Sequence, residues 1–562
     1  METASALFKT YIDDLYKHYP AVPFPDGTSA EEIRRTQPTL FLAVIAAAAA
    51  KTDPHLYSSL NTEVLATYSN RTVIHSEKSL ELVKAMIVSS VWYYPPGRFS
   101  QLKFYEYIHM ASTMAMDLGI GTNPKASRAR RGADSNKLTP ESVPNDGEMD
   151  KRRIFLVCYL ITTGVSMSMR RPNMLRSNSW LMECVEYVAA NANPSYLDNC
   201  LVAWVRLLQI TEEICTSFSF DDPGNMANLA ETRIQIILSS FEKKLLAWKN
   251  ESESAGSVNG RHFLFFAWPE LTRPDALMLT YYHTQIYLHE IAMHDDHAAE
   301  DFQPPYKLDK VVSIQPEIEA SSSYIDAIAI SISSAHALLN ILLSMHVDAL
   351  RALPVFNFVR MAYAIVVLTK LHISSKTPAS QLGAVIDPRI VRLAHYLEAL
   401  IQKLGVAVGP MECRAPFTFL GLLMRLQIWY KSQENDVHFR EPTELYNVLD
   451  HCWLPPPPNV GKNPLAMNEP MWYGQLELAG MGESPLDNIQ SMGLSELATM
   501  QPLPNMDLDF GNPNIDVSQF MTFPGLDFKD DGDQGDWSGM PNMNDISTSG
   551  LMNDMQVNGM YD

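Results

Sequence analysis

The chain has 562 residues, of which 46% are hydrophobic and 19% are charged, and its formal net charge is −21. This composition allows a large buried core, and the acidic balance excludes a general electrostatic surface for nucleic acid. The six cysteines are too widely spaced for a Cys-x-x-Cys motif, so we expect buried thiols in a reducing compartment. The longest apolar run, Leu40 to Ala50, is too short to span a bilayer, which predicts a soluble intracellular protein.

Apolar residues recur at steps of three and four from the beginning of the sequence, which is the period of an amphipathic helix. The first such helix ends at Pro20. Ser29 and Glu32 have the spacing of a capping box, and further helices are expected to begin near Pro38 and Pro54. No segment alternates convincingly with period two, so the sequence predicts an all-α protein.

Two helical segments flank a polar loop in the first third of the chain. The first, about 98–121, carries apolar residues on one face, and Gly119 stands where a helix C-cap is expected. The second, about 150–173, is apolar without a break from Ile154 to Ile161 and has cations at both ends. This pattern predicts a helix buried nearly all round, with Arg152, Arg153, Arg170 and Arg171 paired to carboxylates of neighbouring helices.

This pair of segments resembles the regulatory middle domain of fungal six-cysteine zinc binuclear cluster transcription factors. In that family a helix ending in Ala-x-x-Leu-Gly precedes Arg-Arg-x-Phe-Trp-x-x-Tyr and, later, Arg-Pro. The chain follows the pattern with Leu156 in place of the tryptophan. The matching residues are Arg152, Arg153, Phe155, Tyr159, Arg171 and Pro172. The resemblance implies a large irregular multi-helix regulatory domain over roughly residues 1–450.

Helices are also predicted beyond this pair, and their irregular spacing argues against a repeat of fixed period. They are expected at about 196–219, 228–249, 275–297, 321–351, 355–373, 388–404 and 416–432. Two surface loops, about 122–149 and 250–260, should interrupt the domain. The first loop holds a basic cluster, Lys125, Arg128, Arg130 and Arg131. It could be a nuclear-import signal or a phosphate contact, but a solvated loop is favoured because short basic runs are common.

The chain changes character after about residue 450. Pro455 to Pro458 cannot continue a helix, and from Asn468 onward sixteen acidic residues accompany one lysine. Residues 451–562 are therefore expected to be a disordered acidic tail. Acidic and apolar residues alternate there, which keeps a few large side chains free for a partner's groove. These candidate activation residues are Leu508, Phe510, Leu526, Phe528 and Trp537. The alternative is a tail that serves only solubility.

The sequence contains no recognisable catalytic constellation, so we expect neither enzyme activity nor a cofactor. Residues 289–297 are rich in metal-ligating types, but a zincin needs histidines four residues apart and position 293 is methionine. Glu290, His294 and His297 share a helix face and could form a weak metal site. A solvated polar helix end is the favoured interpretation. The aspartate pairs at 13, 221 and 295 lack the third carboxylate that a diphosphate–magnesium site requires.

The resemblance suggests a function, but it does not extend to the DNA-binding part of the family. In that family, zinc and DNA recognition belong to an N-terminal module of six closely spaced cysteines, which this sequence does not contain. The module is expected to be missing from the reading frame or replaced by a DNA-binding partner. What remains implies a nuclear regulator of RNA polymerase II transcription, with co-activators, a small-molecule effector and a second copy as candidate partners. No membrane partner is expected.

Two apolar aromatic stretches, Phe263 to Glu270 and Phe356 to Lys370, are candidate walls of an effector cavity. A filled core explains the same stretches equally well. The competing overall interpretation is an all-α small-molecule-binding protein or enzyme with a solubilising tail.

Overall fold

The computed structural model describes residues 2–25, 27–96, 102–123, 146–191, 196–222, 227–253, 275–294, 322–377, 386–410 and 412–435. Within these ranges the secondary structure is helical and no strand occurs, which confirms the all-α prediction. Several predictions fall outside the described residues. These are the boundary near 450, the activation residues Leu508, Phe510, Leu526, Phe528 and Trp537, the basic cluster Lys125, Arg128, Arg130 and Arg131, and the stretch 263–270.

The N-terminal helices begin where the sequence signals them. Ser29 caps its helix by accepting a hydrogen bond from the Glu32 amide at 3.2 Å, and Asp53 accepts one from the Leu56 amide at 3.0 Å. Pro38 and Pro54 occupy first helical positions, where their missing N–H costs nothing. The helices are α1 (Glu2–Thr10), α2 (Ala30–Thr36), α3 (Pro38–Thr52), α4 (Pro54–Tyr68), α5 (Leu80–Val91) and α6 (Phe104–Asp117). α1 continues as a π turn, Tyr11–Leu15, and a 3-10 turn, Tyr16–His18.

Apart from a helix at Ser179–Ala189 that was not predicted, the later helices follow the predicted order with corrected boundaries. They are α7 (Asp146–Met169), α8 (Ser179–Ala189), α9 (Tyr196–Phe218), α10 (Thr232–Glu253), α11 (Asp275–His289), α12 (Ser322–Ser344), α13 (Val347–Ala352), α14 (Val355–Lys376), α15 (Pro388–Val391), α16 (Leu393–Val408) and α17 (Arg414–Asn435). Because α7 begins at Asp146 and α10 runs to Glu253, both predicted loops are too long. The predicted helix 321–351 is two helices, since the extended His346 caps α13. The predicted helix 388–404 is interrupted by Arg392, whose φ is 53°.

The helices share a core in which distant parts of the chain meet at Trp204. Its indole N–H donates to the Thr280 hydroxyl at 3.0 Å, and its ring packs edge-on against Tyr19 with the centroids 5.0 Å apart. Tyr19 makes the same kind of contact with Phe356, also at 5.0 Å. The segment after α1 is thus fixed to α9, α11 and α14 at one point.

Helices α12 and α14 are long and apolar enough to cross a membrane by length and composition. Most of α14 is buried among other helices, and it packs against α11, α12, α16 and α17. Such a helix is the ordinary centre of a helical core, so these two features are weak evidence for a membrane. The same burial means that Phe356 to Lys370 packs as core, in keeping with the second of the two interpretations given above for that stretch.

Five of the six cysteines lie in the described ranges, and they are thiols rather than disulfides. Cys158, Cys184, Cys200 and Cys413 are buried, and Cys215 is partly buried. Burial raises the pKa of the Cys158 thiol to about 12, and it does the same for Cys184 and Cys413. Because the thiolate is the reactive form, these side chains are packing residues.

Burial of His18 should make the stability of the fold depend on pH. Burial is the main cause that lowers the pKa of His18 from 6.5 to about 4. Between pH 6.5 and pH 4, His18 is therefore protonated in the unfolded chain and neutral in the folded chain. The stability that the folded chain has with a neutral His18 is complete above pH 6.5 and is lost as pH falls towards 4. We expect the His18-dependent part of the unfolding free energy to fall by on the order of 3 kcal/mol over this range.

Urea denaturation of the wild type and of His18→Gln, from pH 7 to pH 4, measures this part by difference. His75→Gln changes an exposed histidine of the same half of the chain and serves as the matched control. Identical pH profiles for the wild type and His18→Gln would contradict the expectation.

Candidate functional site

We name residues 152–159 and 170–172, which contain the six residues of the family motif, the arginine corner. The turn that ends α6 precedes this corner in the chain. Gly119 has φ 75°, its N–H donates to Met116, and the next N–H donates to Ala115 at 3.1 Å. This Schellman arrangement confirms the predicted C-cap. On the helix itself, Ile108 of the predicted apolar face is buried, whereas the apolar Leu118 is 39% exposed because it lies at the cap, beyond the last buried turn.

The end of α7 repeats this turn with an arginine in place of the glycine. Arg170 has φ 50°, and the N–H of Arg171 donates to the Ser166 carbonyl at 3.1 Å. A side chain in the left-handed region costs about 1–2 kcal/mol, so other interactions must hold Arg170 there. Pro172 follows and cannot continue the helix.

Those interactions form a buried group that we name the Glu290 cluster, made of Arg170, Glu290, His294 and Tyr363. The Arg170 guanidinium and the Tyr363 hydroxyl both donate to one oxygen of Glu290, and His294 Nε2 lies 2.8 Å from the other. The guanidinium also stacks over the ring of Tyr287 at 4.3 Å. The Glu290 side chain is fully buried. The cluster thereby joins the end of α7 to the end of α11 and to the middle of α14.

The ionised form of Glu290 is the stable one despite its burial. Burial by itself raises the pKa of a carboxyl group, but the charge of Arg170 and the hydrogen bonds from His294 and Tyr363 outweigh it. The pKa of Glu290 is therefore lowered from its ordinary value. The result is a hydrogen-bonded ion pair inside the core.

This geometry corrects the prediction of a solvated polar helix end at residues 289–297. His289 and Glu290 are fully buried, and His289 Nε2 lies 3.0 Å from a Glu242 oxygen. The alternative, a weak metal site, finds no support in the part of the chain that the structure describes, where no group of three or more His, Cys, Asp or Glu could hold a metal ion. His297 lies outside the described residues.

Two residues of the family motif tie α7 to α9. Arg153 makes a bidentate contact with Asp198, at 2.6 and 2.7 Å, and Asp198 is only 3% exposed. The Tyr159 hydroxyl donates to Glu212 at 2.6 Å, and Glu212 also accepts from the Ser177 amide. The predicted carboxylate partners therefore exist for Arg153 as well as for Arg170.

The remaining two arginines contact aromatic rings. Arg152 lies over the rings of Trp180, at 4.7 Å, and Tyr187, at 4.0 Å. Arg171 lies over the ring of Tyr105 at 4.8 Å. The prediction of carboxylate partners does not describe these two contacts, because a planar guanidinium is stabilised on an aromatic face as well as by an acid.

The arginine corner has little room for a ligand. Beside Arg170, Tyr287 and Tyr363 the structure has a cavity of about 10 Å³, and between Arg171 and Cys215 one of about 30 Å³. These volumes suit one or two water molecules. The motif residues Arg153 and Tyr159, and Arg170 next to the motif residue Arg171, thus connect helices inside the domain.

A larger cavity lies elsewhere, along α12, and we name it the α12 groove. Its volume is about 480 Å³, within the range of small-molecule sites. The lining residues are Tyr324, Ile325, Ile328, Ala329, Ile332, Ser333, His336, Ile386, Ile390 and Arg392. The sequence did not single out this groove, because its second wall is the short helix α15, which was predicted as part of a longer one.

The all-α architecture and the braced arginine corner define a helical domain of the fungal transcription-factor regulatory class. The chain belongs to the WAR1 C-terminal domain family, whose sequence model matches residues 1–378. This confirms the resemblance drawn from the arginine motif.

Curated proteins similar to the chain are named as transcription factors. Transcription factor pbcR of Emericella nidulans is 25% identical over 485 residues, which cover 83% of this chain and 57% of pbcR. Transcription factor himD of Aspergillus japonicus is 22% identical over 77% of this chain and 67% of its own length. Transcriptional regulator WAR1 of Candida albicans is 26% identical over 32% of this chain and 19% of its own length. The chain therefore spans little more than half the length of pbcR, and its match to WAR1 covers about a fifth of that protein. No solved structure matches the chain.

Proposed function

We propose that the chain is the regulatory and activating part of a nuclear transcriptional regulator of RNA polymerase II genes. The observation that carries the proposal is family membership over residues 1–378 together with curated relatives that are named transcription factors. Base recognition and zinc are assigned to a separate DNA-binding module, in the same protein or in a partner. The chain itself needs no cofactor for this function.

The helical body is proposed to respond to a small-molecule effector, with a second copy as a further candidate partner. An effector acts only if it binds one arrangement of the helices better than another. The Glu290 cluster supports such a role because it joins α7, α11 and α14 through one buried carboxylate. A shift of α7 against α11 would break a buried ion pair, and a shift of α14 would break the hydrogen bond from Tyr363, which makes intermediate arrangements unfavourable.

The tail is proposed to be the activation region that contacts co-activators. Fusing residues 468–562 to a heterologous DNA-binding domain should raise reporter output well above that of the domain alone. The matched control replaces Leu508, Phe510, Leu526, Phe528 and Trp537 with serine and keeps all sixteen acidic residues. An inactive wild-type fusion, or a serine variant of equal activity, would show that the tail only confers solubility.

The α12 groove favours a second candidate function, a small-molecule-binding protein with a solubilising tail. A volume of about 480 Å³ is sufficient for a ligand. Saturable binding of an apolar compound to the chain, combined with no effect of the tail on transcription, would support this candidate over the first.

A further inference from the structure

The small cavity beside Arg170 lies where three helices meet. Its volume of about 10 Å³ is close to the least that one water molecule needs, and it is far too small for an organic ligand. The walls come from the end of α7, with Ser168 and Arg170, from α11, with His283 and Tyr287, and from α14, with Val359 and Tyr363. The polar atoms on these walls decide whether a water molecule is held there.

One terminal nitrogen of Arg170 is a buried donor without an acceptor among the described residues. The Nη2 atom donates to Glu290, whereas Nη1 is buried and has no hydrogen-bond partner in the same part of the chain. The Arg170 side chain is 4% exposed, so bulk solvent does not reach this atom. A buried N–H group without an acceptor is unfavourable, and Nη1 therefore requires a small acceptor in the cavity.

His283 on the α11 wall carries a second buried polar atom of this kind. Its Nδ1 has no hydrogen-bond partner within the described ranges, and the residue is only 2% exposed. The imidazole packs edge-on against the Tyr363 ring with the centroids 4.9 Å apart, which fixes its position on the cavity wall. Burial lowers the pKa of His283 well below 6.5, and the nearby charges of Arg360 and Arg170 lower it further. The ring is therefore neutral, and it lies close enough to Arg170 to sense its charge.

Ser168 adds a third polar group to the cavity wall. Its hydroxyl donates to the Gly164 carbonyl at 3.0 Å, so the oxygen keeps its lone pairs for another donor. A water molecule among these groups would accept from Arg170 Nη1 and donate to Ser168 Oγ. With His283 Nδ1 it would donate or accept according to the tautomer of the neutral ring. Three polar partners are the usual number for a buried water molecule.

We propose that this cavity is a binding site for one structural water molecule, which bridges Arg170 Nη1 and His283 Nδ1. With Glu290 on Nη2 and the water on Nη1, both terminal nitrogens of the guanidinium are hydrogen-bonded. The water joins the end of α7 to α11 by a contact that is separate from the Glu290 carboxylate. It thereby helps to hold Arg170 at its φ of 50°. Water binding here does not depend on the function proposed for the chain in transcription.

Val359→Ile tests the site, because it extends the α14 wall by one methyl group and should displace a single water molecule. The two buried polar atoms would then lose their partner, so the equilibrium constant for unfolding in urea should rise about five- to thirtyfold. Val355→Ile is the matched control. It adds the same group to a partly buried valine one turn earlier on α14 that does not line the cavity, and it should behave like the wild type. A more stable Val359→Ile would overturn the proposal, because a methyl group stabilises only a dry cavity.

Crystal structures of the full chain, at a resolution that shows ordered water, distinguish a lost water molecule from simple overpacking. We expect one density peak within hydrogen-bond distance of Arg170 Nη1 and His283 Nδ1 in the wild type, and its loss in Val359→Ile. A destabilised Val359→Ile without such a peak in the wild type would overturn the proposal, because overpacking alone would then explain the result. Equal stability of Val359→Ile and Val355→Ile would overturn it as well. An anomalous signal at the peak after chloride is exchanged for bromide would also overturn it, by identifying a halide ion instead of water.

Discussion

Replacing Glu290 with alanine is expected to lower the free energy of unfolding by about 3–5 kcal/mol, because it leaves a buried arginine without its counter-charge. The Arg170 side chain is 4% exposed and the Glu290 side chain is completely buried, so water cannot replace the lost carboxylate. The Tyr363 hydroxyl would lose its acceptor at the same time. Urea denaturation at pH 7, followed by circular dichroism, measures the change.

The matched control is Glu213→Ala, which removes a surface ion pair instead of a buried one. Glu213 contacts Lys244, and both side chains are about half exposed. Such pairs contribute at most about 1 kcal/mol, so this variant should be close to the wild type. Similar losses for the two variants would mean that Glu290 contributes packing alone and that the ion pair is not what stabilises the corner.

Local signals in the sequence were sufficient for much of the helical framework. Ser29, Asp53 and Gly119 determine helix ends through their own side chains or backbone freedom, and such effects involve residues at most a few positions apart. The breaks at His346 and Arg392 could not be predicted in this way. Neither residue is a helix breaker, and Arg392 adopts its left-handed conformation without any glycine to signal it.

The partners of the arginine corner were the harder part of the site to predict. Glu290 was interpreted as a solvated residue because a charged side chain near a helix end is usually exposed. Its burial depends on Arg170 and Tyr363, which come from helices far away in the sequence. A single sequence shows that Arg170 needs a partner, but it does not show which of many carboxylates supplies it.

The contacts of the motif arginines also explain what the family pattern specifies. Arg153 and Arg170 are each paired with a buried carboxylate, and Arg152 lies on two aromatic rings. Removal of one partner would leave a charge without compensation inside the core. The motif residues Arg152, Arg153 and Tyr159 therefore fix α7 to its neighbours, together with Arg170 beside them.

Arg360→Met is expected to have the opposite effect to the loss of Glu290 and to raise the free energy of unfolding by about 1–4 kcal/mol. Arg360 is 4% exposed, and burial lowers its pKa to about 10, which shows how unfavourable the charge is in this position. It donates to Asn357 at 2.7 Å and stacks on Phe356, but among the described residues it has no carboxylate partner. Methionine keeps most of the side-chain volume and adapts to irregular packing.

Arg170→Met provides the comparison, since it changes an equally buried arginine that does have a carboxylate partner. This variant should lose stability, because Glu290 would then be the uncompensated charge. The two substitutions are chemically identical, so opposite signs in the same urea experiment would assign the difference to the acid. A loss of stability in Arg360→Met would instead mean that the hydrogen bond to Asn357 and the contact with Phe356 outweigh the cost of the buried charge.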